Sequence, residues 1–203
     1  MRRIGLLGGA FNPPHLGHLK LAELAVEHLA LDELRFVPTA LSPHKPTPEG
    51  PDGPKRLDLL RAALEGAHPA LRVDDVELRR GGTSYTVDTL EELAAREAGA
   101  AWILVLGGDQ LEGLPRWRRL ERILDLASLA IAPRPGAPAA LPASLSGRVR
   151  PSWSGAAGEI LWLPGTELDL ASTVLRAALA SGSEPEGLPI QVRAAIGREN
   201  LYR

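Results

Sequence analysis

The fold is decided by a stretch near the start of the 203-residue chain, Arg3-Ile-Gly-Leu-Leu-Gly8-Gly9-Ala10-Phe11-Asn12-Pro13-Pro14-His15-Leu16-Gly17-His18. Its apolar run predicts a β-strand, its glycines predict a turn, and the apolar spacing from His15 to Leu29 predicts a helix. A strand–turn–helix junction of this kind predicts an anion site, because main-chain N–H groups and the positive end of the helix dipole meet there. The stretch is neither a Walker P-loop nor a G-x-G-x-x-G fingerprint.

Two histidines close this stretch. His15 and His18 are three residues apart, so both project from one face of the first helical turn. Two imidazoles beside an anion site can donate hydrogen bonds to a triphosphate as charge moves onto its leaving group. The alternative is a glycine turn with two chance surface histidines, and the full string H-x-G-H at such a junction disfavours it.

Outward from this junction, strand-like runs alternate with helical patterns, which is typical of a parallel sheet with helices on both faces. We predict strands over 34–37, 71–76, 102–106, 129–132 and 159–163, and helices over 55–64, 86–98, 170–181 and 187–199. Residues 39–53 and 133–158 are predicted loops. The fold class is therefore α/β, a Rossmann-like doubly wound parallel sheet. We expect one domain over 1–203 with a small C-terminal helical part over about 170–203, and a ligand at the carboxyl ends of the strands.

A second motif opens the first of the two C-terminal helices, Asp169-Leu-Ala-Ser172-Thr173-Val-Leu-Arg176. Asp169 is a predicted N-cap, and Ser172 and Thr173 would lie in the first turn near free N–H groups. Arg176 lies four residues after Ser172, on the same face. Hydroxyls, amides and a guanidinium together suit a phosphate. Taken alone, however, a motif of this kind is more often an ordinary capped helix than a binding site.

Composition narrows the class of protein. The net charge of −2 disfavours a broad nucleic-acid surface, so we expect no nucleic-acid partner. The chain contains no cysteine, which excludes thiolate catalysis and zinc–thiolate sites and is compatible with a cytoplasmic location. The sequence predicts no signal peptide and no membrane span, because no apolar run approaches the roughly 20 residues that a membrane helix needs.

The pair of motifs, H-x-G-H with a late S-T-x-x-R, resembles the HxGH nucleotidylyltransferase superfamily. Within it the chain resembles the bacterial nicotinate-nucleotide adenylyltransferases over nearly its whole length. Further segments carry this resemblance: Pro43-His44-Lys45-Pro46, Ser84-Tyr85-Thr86-Val-Asp-Thr89-Leu90, Gly107-Gly-Asp109 running to Leu114-Pro-Arg-Trp117, Ala132-Pro-Arg134-Pro-Gly136 and Asn200-Leu-Tyr-Arg203.

The resemblance implies a role for each matching position. The catalytic set is His15, His18 and Arg176. The ATP-binding set is Gly8, Gly9, Ala10, Phe11, His18, Gly107, Asp109, Ser172, Thr173 and Arg176. The substrate-binding set is Lys45, Thr86, Trp117 and Arg134. No protein metal ligand is implied, and Mg²⁺ would be held mainly by the ATP phosphates.

Some of these assignments have plainer alternatives. Lys45 could be solvated in a proline-rich loop, and His44 could be structural. Trp117 could be an interface anchor, and Asp109 could be the N-cap of a short helix.

The sequence departs from the family pattern at two positions. Ala10 replaces the usual Thr or Ser, and Ala171 replaces the first Ser of the usual I-S-[SA]-T.

We therefore expect an enzyme of NAD biosynthesis that transfers AMP from ATP to nicotinate mononucleotide, giving deamido-NAD and pyrophosphate. One alternative is another transferase of the superfamily, with nicotinamide mononucleotide or pantetheine phosphate as acceptor. A second is a non-catalytic nucleotide-binding module, which Ala10 and Ala171 leave open. The sequence also leaves open whether the chain forms a homo-oligomer.

Overall fold

The structure is a computed structural model that describes residues 1–43, 50–133, 141–165 and 170–203. Its centre is a parallel sheet with the strand order β3-β2-β1-β4-β5-β6. The strands are Arg3–Gly9 (β1), Glu33–Pro38 (β2), Leu71–Val73 (β3), Ala101–Gly107 (β4), Ala127–Ala132 (β5) and Ile160–Trp162 (β6). The order reverses between β1 and β4, and the crevice at such a switch point is where doubly wound sheets bind ligands.

Helices connect these strands and follow the last of them. They are Leu16–Leu29 (α1), Gly53–Ala63 (α2), Val76–Arg80 (α3), Thr86–Arg96 (α4), Leu120–Leu126 (α5), Ser172–Ala180 (α6) and Ile190–Glu199 (α7). Within the described ranges, no helix combines the length and the apolar character needed to cross a membrane.

Alternating residues of β4 face opposite sides of the sheet, as the pleat of a strand requires. Leu104 packs into the core on one side, with Leu90 and Leu93 of α4. Ile103 packs into the core on the other side, with Ala25 of α1. Both faces are thus covered by helices, and the predicted doubly wound α/β class is confirmed. Burying each leucine side chain completely contributes about 1.5–3 kcal/mol.

The region after β2 differs from the sequence prediction. A strand was expected over 71–76, but β3 ends at Val73 and the short helix α3 follows. The Asp74 carboxylate accepts a hydrogen bond from the Val76 N–H at 3.1 Å and turns the chain into that helix. The apolar spacing of Leu71, Val73 and Val76 concealed this turn, because a five-residue helix is too short to establish its own period.

The helix α5 was not predicted either, and the predicted loop over 133–158 contains a 3-10 segment over Ala143–Arg148. Tertiary packing orders both segments. Ile123 and Leu124 of α5 and Leu145 of the 3-10 segment are buried in the same core as β4 and β5. Packing of this kind overrides the weak intrinsic secondary-structure propensity of these stretches.

The C-terminal helices pack on α2 instead of on the sheet. Leu59 and Ala63 of α2 form a separate apolar cluster with Leu175 of α6 and Val192 of α7. This cluster joins the predicted C-terminal helical part to the body of the protein. It also sets the place at which α6 begins, beside the carboxyl end of β1.

Candidate active site

A cavity of about 760 Å³ opens at the carboxyl ends of β1 and β4. The structure brings together along its wall every described residue of the predicted site: Gly8, Gly9, Ala10, Phe11, His15, His18, Thr86, Gly107, Asp109, Trp117, Ser172, Thr173 and Arg176. The predicted substrate residues Lys45 and Arg134, and also His44, lie outside the described residues. A volume of this size suits a ligand as large as a nucleotide pair.

The loop between β1 and α1 forms one wall of this cavity. Phe11 is 2% exposed and adopts a positive φ of 46°, so its ring turns inward, and the Asn12–Pro13 peptide bond is cis. The Phe11 ring meets the His18 ring edge-on, with the ring centroids 5.0 Å apart. Gly8 and Ala10 remain exposed toward the cavity. The buried phenylalanine therefore anchors the loop while small residues leave room for a ligand.

The two histidines lie at the N-terminus of α1. His15 is the N-cap residue, and its ring stacks on that of His18 with a centroid separation of 3.7 Å. The main-chain N–H of His15 donates a hydrogen bond to Nδ1 of His18 at 3.2 Å, and this bond fixes the orientation of the His18 ring. A Cβ on Gly17 would lie 3.0 Å from Nδ1 of His15. The close approach explains why the residue before His18 is a glycine.

The N-terminus of α6 faces the same loop. The Ser172 hydroxyl donates to the Pro13 carbonyl oxygen at 3.1 Å, and Nη1 of Arg176 donates to the Asn12 carbonyl oxygen at 2.8 Å. The helix starts at Ser172 with Ala171 as its N-cap. The prediction that Asp169 caps this helix is therefore wrong, and Asp169 itself lies outside the described residues.

Gly107 and Asp109 follow β4 directly. The Asp109 side chain folds back over Gly107, where a Cβ would lie only 2.5 Å from its Oδ1 atom. Gly107, and not Asp109, is the N-cap residue of the 3-10 turn over Gly108–Gln110. The alternative role of Asp109 as a helix cap is therefore wrong. Its exposed carboxylate stands at the carboxyl end of a central strand, where it can accept hydrogen bonds from ligand hydroxyls.

The opposite end of the cavity is lined by aromatic and basic groups. Thr86 is the first residue of α4, and Trp117 follows a 3-10 turn and is half-buried. The Arg118 guanidinium lies 4.6 Å from the centre of the Tyr85 ring and 3.6 Å from the Asp88 carboxylate. This end therefore combines an aromatic surface, a helix N-terminus and a positive charge.

A buried carboxyl group stands behind this end of the cavity. Glu77 is 7% exposed, and its Oε1 atom accepts a hydrogen bond from the Thr89 hydroxyl at 2.7 Å. Burial raises the pKa of the Glu77 carboxyl, and hydroxyl donors from Thr89, Ser84 and Thr39 act in the opposite direction. Glu77 thus joins the segments after β2 and before α4, which both line the cavity.

A buried arginine supports the other side of the loop between β1 and α1. Arg56 is 7% exposed, and its guanidinium donates to the carbonyl oxygens of Ala10 at 2.6 Å and Thr39 at 2.7 Å. Burial lowers the pKa of Arg56 from its ordinary value. The side chain holds the loops after β1 and β2 together and adds a positive charge behind the cavity.

The donors around the histidines suit an anion better than a bare metal ion. Imidazoles, hydroxyls, helix N–H groups and a guanidinium converge there, and these are ligands for phosphate oxygens. Across residues 1–43, 50–133, 141–165 and 170–203, no three His, Asp or Glu side chains converge as they would around a metal ion. A divalent ion at this site would therefore be held by phosphate oxygens and water.

Comparison with known proteins agrees with this geometry. The model of the cytidylyltransferase-like family matches residues 6–178, which include both motifs. The chain belongs to the cytidylyltransferase-like family. In this family member, the matched region runs from β1 through most of α6, so it contains the whole cavity wall described above.

Relatives of this chain carry a name that is more specific than the name of the family. A nicotinate-nucleotide adenylyltransferase of Bordetella petrii is 40% identical over 205 residues, covering 100% of both chains. One from Halorhodospira halophila is 41% identical over 217 residues, covering 100% of this chain and 96% of the relative. The resemblance inferred from the sequence is confirmed.

A solved structure of nicotinic acid mononucleotide adenylyltransferase from Plasmodium falciparum, complexed with NaAD, shares the fold. Its TM-score is 0.80 at 14% sequence identity, with 100% of this chain and 98% of that chain covered. At this identity the likeness concerns the fold alone. It confirms the Rossmann-like sheet of the cytidylyltransferase-like chain.

The sequence analysis missed several residues around the cavity. Asn12 and Arg118 line it. Asn12 stands in the first motif, and Arg118 directly follows the segment that ends at Trp117. Glu77 was missed because it directly follows the strand that was predicted over 71–76, and no helix was expected there. Arg56 was missed because a buried arginine resembles a surface arginine in a sequence pattern. Tyr202 was part of a segment noted for resemblance, but no pattern indicated what it contacts.

Proposed function

We propose that this protein transfers AMP from ATP to nicotinate mononucleotide, forming deamido-NAD and pyrophosphate in NAD biosynthesis. The observation that carries the proposal is the convergence of α1 and α6 at one end of a cavity whose other end holds Trp117 and Thr86. The name shared by full-length relatives at about 40% identity supports the same reaction.

The reaction is a direct displacement at phosphorus. A 5′-phosphate oxygen of the acceptor forms a bond to the α-phosphorus of ATP, and the bond from that phosphorus to the oxygen bridging to the β-phosphorus breaks. The electron pair leaves with pyrophosphate. The attacking phosphate is already ionised at neutral pH, so no general base is needed, and catalysis comes from positioning and charge neutralisation.

The phosphate end of the cavity supplies that neutralisation. His15, His18 and Arg176 are the proposed catalytic residues, and they donate hydrogen bonds to oxygens that gain charge as pyrophosphate departs. Main-chain N–H groups at Gly8, Gly9, Ala10 and Phe11, and at Ser172 and Thr173 of α6, complete the proposed ATP phosphate site. The Ser172 hydroxyl already donates to Pro13, so its N–H group is the donor left for phosphate.

The remaining assignments concern the adenosine and the acceptor. Gly107 and Asp109 contact the ribose, since a carboxylate at a strand end accepts hydrogen bonds from sugar hydroxyls. Trp117 stacks on the electron-poor pyridine ring, and N–H groups near Thr86 receive its carboxylate. Lys45 and Arg134 are assigned to the acceptor on the family resemblance. Mg²⁺ held by the triphosphate would offset part of its negative charge.

We further propose that residues 1–203 form one nucleotidylyltransferase domain, with α6 and α7 as its C-terminal helical part. The apolar cluster that joins α2 to both helices supports this division. A cytoplasmic location and the lack of a nucleic-acid partner stay predictions from the sequence.

The experiment that tests the function supplies the protein with ATP, Mg²⁺ and one acceptor at a time. The acceptors are nicotinate mononucleotide, pantetheine phosphate, a sugar phosphate and an alcohol phosphate, and products are identified by mass. We expect deamido-NAD with the first acceptor and no adenylylated product with the others. Adenylylation of pantetheine phosphate would instead support the alternative transferase, and ATP binding without any product would support the non-catalytic module.

A further inference from the structure

The last tyrosine of the chain reaches Asn12, a residue that lines the cavity. The Tyr202 hydroxyl donates a hydrogen bond to Oδ1 of Asn12 at 2.7 Å. Asn12 is 2% exposed, and its main-chain carbonyl oxygen accepts the bond from Nη1 of Arg176 at 2.8 Å. Asn12 therefore links a residue near the C-terminus to a proposed catalytic residue.

The local sequence explains how the chain end arrives there. Asn200 adopts a left-handed conformation with φ 54°, which ends α7, and the Leu201 N–H donates to the Ile196 carbonyl oxygen at 3.1 Å. Asparagine tolerates this conformation at helix ends better than most residues. The turn directs the Tyr202 side chain back toward α2 and the loop after β1.

The tyrosine is held as a hydrogen-bond donor. Burial raises the pKa of the Tyr202 phenol far above its ordinary value, so the hydroxyl keeps its proton. A Cβ on Gly50 would lie 3.1 Å from both the Tyr202 ring and the Asn12 side chain. Gly50 therefore packs closely against both side chains, and the Asn12 end of the hydrogen bond is buried.

Apolar packing accounts for the position of the Tyr202 ring, which lies against the cluster of α2, α6 and α7, but not for the hydrogen bond of its hydroxyl. The packing of α7 is supplied by the apolar cluster around Val192 and by the ion pair of Glu199 with Lys55 of α2. Neither contact involves Asn12. The Tyr202 hydroxyl adds one hydrogen bond, to the side chain of Asn12. The main-chain carbonyl oxygen of Asn12 accepts the hydrogen bond from Arg176.

We infer that Tyr202 is a positioning residue for the ATP site, acting through Asn12 to fix the loop after β1 and with it the guanidinium of Arg176. This inference rests on the proposed function of Arg176 as a ligand of the ATP phosphates. It assigns the C-terminal segment of the chain a role in nucleotide binding, at a distance of 190 residues in sequence from Asn12.

The test compares Tyr202→Phe with wild type and with Glu199→Gln as the matched control. The phenylalanine keeps the ring and removes only the hydroxyl, whereas Glu199→Gln weakens the docking of α7 without touching Asn12. Three quantities are measured for each protein: the Kd of a non-hydrolysable ATP analogue by calorimetry, the KM of each substrate, and the midpoint of thermal unfolding.

We expect Tyr202→Phe to weaken binding of the ATP analogue roughly five- to tenfold, the effect of losing one buried hydrogen bond. The KM for the acceptor should stay within about twofold of wild type, and Glu199→Gln should bind the analogue normally. Unchanged analogue binding in Tyr202→Phe, or equal weakening in Glu199→Gln, would overturn the inference. Because calorimetry needs no turnover, this result is separate from the proposed function, which fails only if wild type forms no product.

Discussion

The hydroxyl of Ser172 donates a hydrogen bond to the carbonyl oxygen of Pro13, 159 residues earlier in the chain, at 3.1 Å. The bond joins the start of α6 to the loop before α1, so the N-termini of two helices meet at one point. Each terminus carries a partial positive charge, and together they favour an anion more strongly than either alone. This junction is the structural basis of the proposed phosphate site.

His18→Ala should lower kcat by at least about 100-fold, the usual effect of removing one donor to developing charge. The midpoint of thermal unfolding should change little, because His18 is only half-buried. Steady-state kinetics and thermal denaturation measure the two effects. His28→Ala, on the exposed side of α1, is the control and should match wild type. Wild-type turnover in His18→Ala would remove the histidine from the mechanism.

Arg176→Lys should raise the KM for ATP by about tenfold or more while the protein stays folded. Lysine cannot bond Asn12 and present further donors to a phosphate in the planar geometry of a guanidinium. Titration with ATP at saturating acceptor measures the change. Arg193→Lys on the exposed side of α7 is the matched substitution, and equal effects in the two variants would argue against a phosphate role for Arg176.

Trp117→Ala should raise the KM for nicotinate mononucleotide by about two- to tenfold and leave the KM for ATP unchanged. The expected size follows from the loss of a stacking contact worth about 0.5–1.5 kcal/mol. Trp117→Phe keeps an aromatic face and should lie close to wild type. If Trp117→Ala altered only the ATP parameters, or neither set, the tryptophan would not belong to the acceptor site.

Glu77 should make stability depend on pH. Burial raises its pKa in the folded protein above the ordinary value of 4.5. The stability due to its bound proton is therefore complete below about pH 4.5 and is lost as the pH rises through the raised folded pKa. Glu77→Gln resembles the protonated form, so this variant should gain stability relative to wild type as the pH rises toward neutrality.

Thermal unfolding of wild type and Glu77→Gln between about pH 4 and pH 7.5 measures this dependence. In a domain of this size, 1 kcal/mol corresponds to a shift of about 2–4 °C. Glu184→Gln, which changes an exposed carboxyl, controls for the general effect of removing a negative charge. A difference between wild type and Glu77→Gln that stays flat or falls with pH would contradict the raised pKa.

Most of the sheet was predictable because its strands are strongly apolar and bounded by glycine or proline. The run that became β4 illustrates this, since residues 101–106 are all buried. The helix α3 was not predictable in the same way. Its start depends on a side-chain bond from Asp74 and on burial of Val76 and Glu77, and neither feature produces a period in five residues.

The placement of the candidate site residues was predictable where chemistry and motif coincide, as at His15 and His18, which both line the cavity. Residues that act through other residues were not predictable from the sequence. Asn12 and Tyr202 lie 190 positions apart, and their hydrogen bond depends on how α7 packs against α2. The prediction that Asp169 caps α6 was wrong, because the helix begins at Ser172 with Ala171 as its N-cap.

The most direct test of the account is pyrophosphate release with ATP, Mg²⁺ and either nicotinate or nicotinamide mononucleotide. The account predicts rapid release with the acid, with deamido-NAD formed in equal amount, and much slower release with the amide. The N-terminus of α4, which lines the acceptor end of the cavity, favours the carboxylate. No release with the acid, under conditions in which ATP binds, would contradict the account.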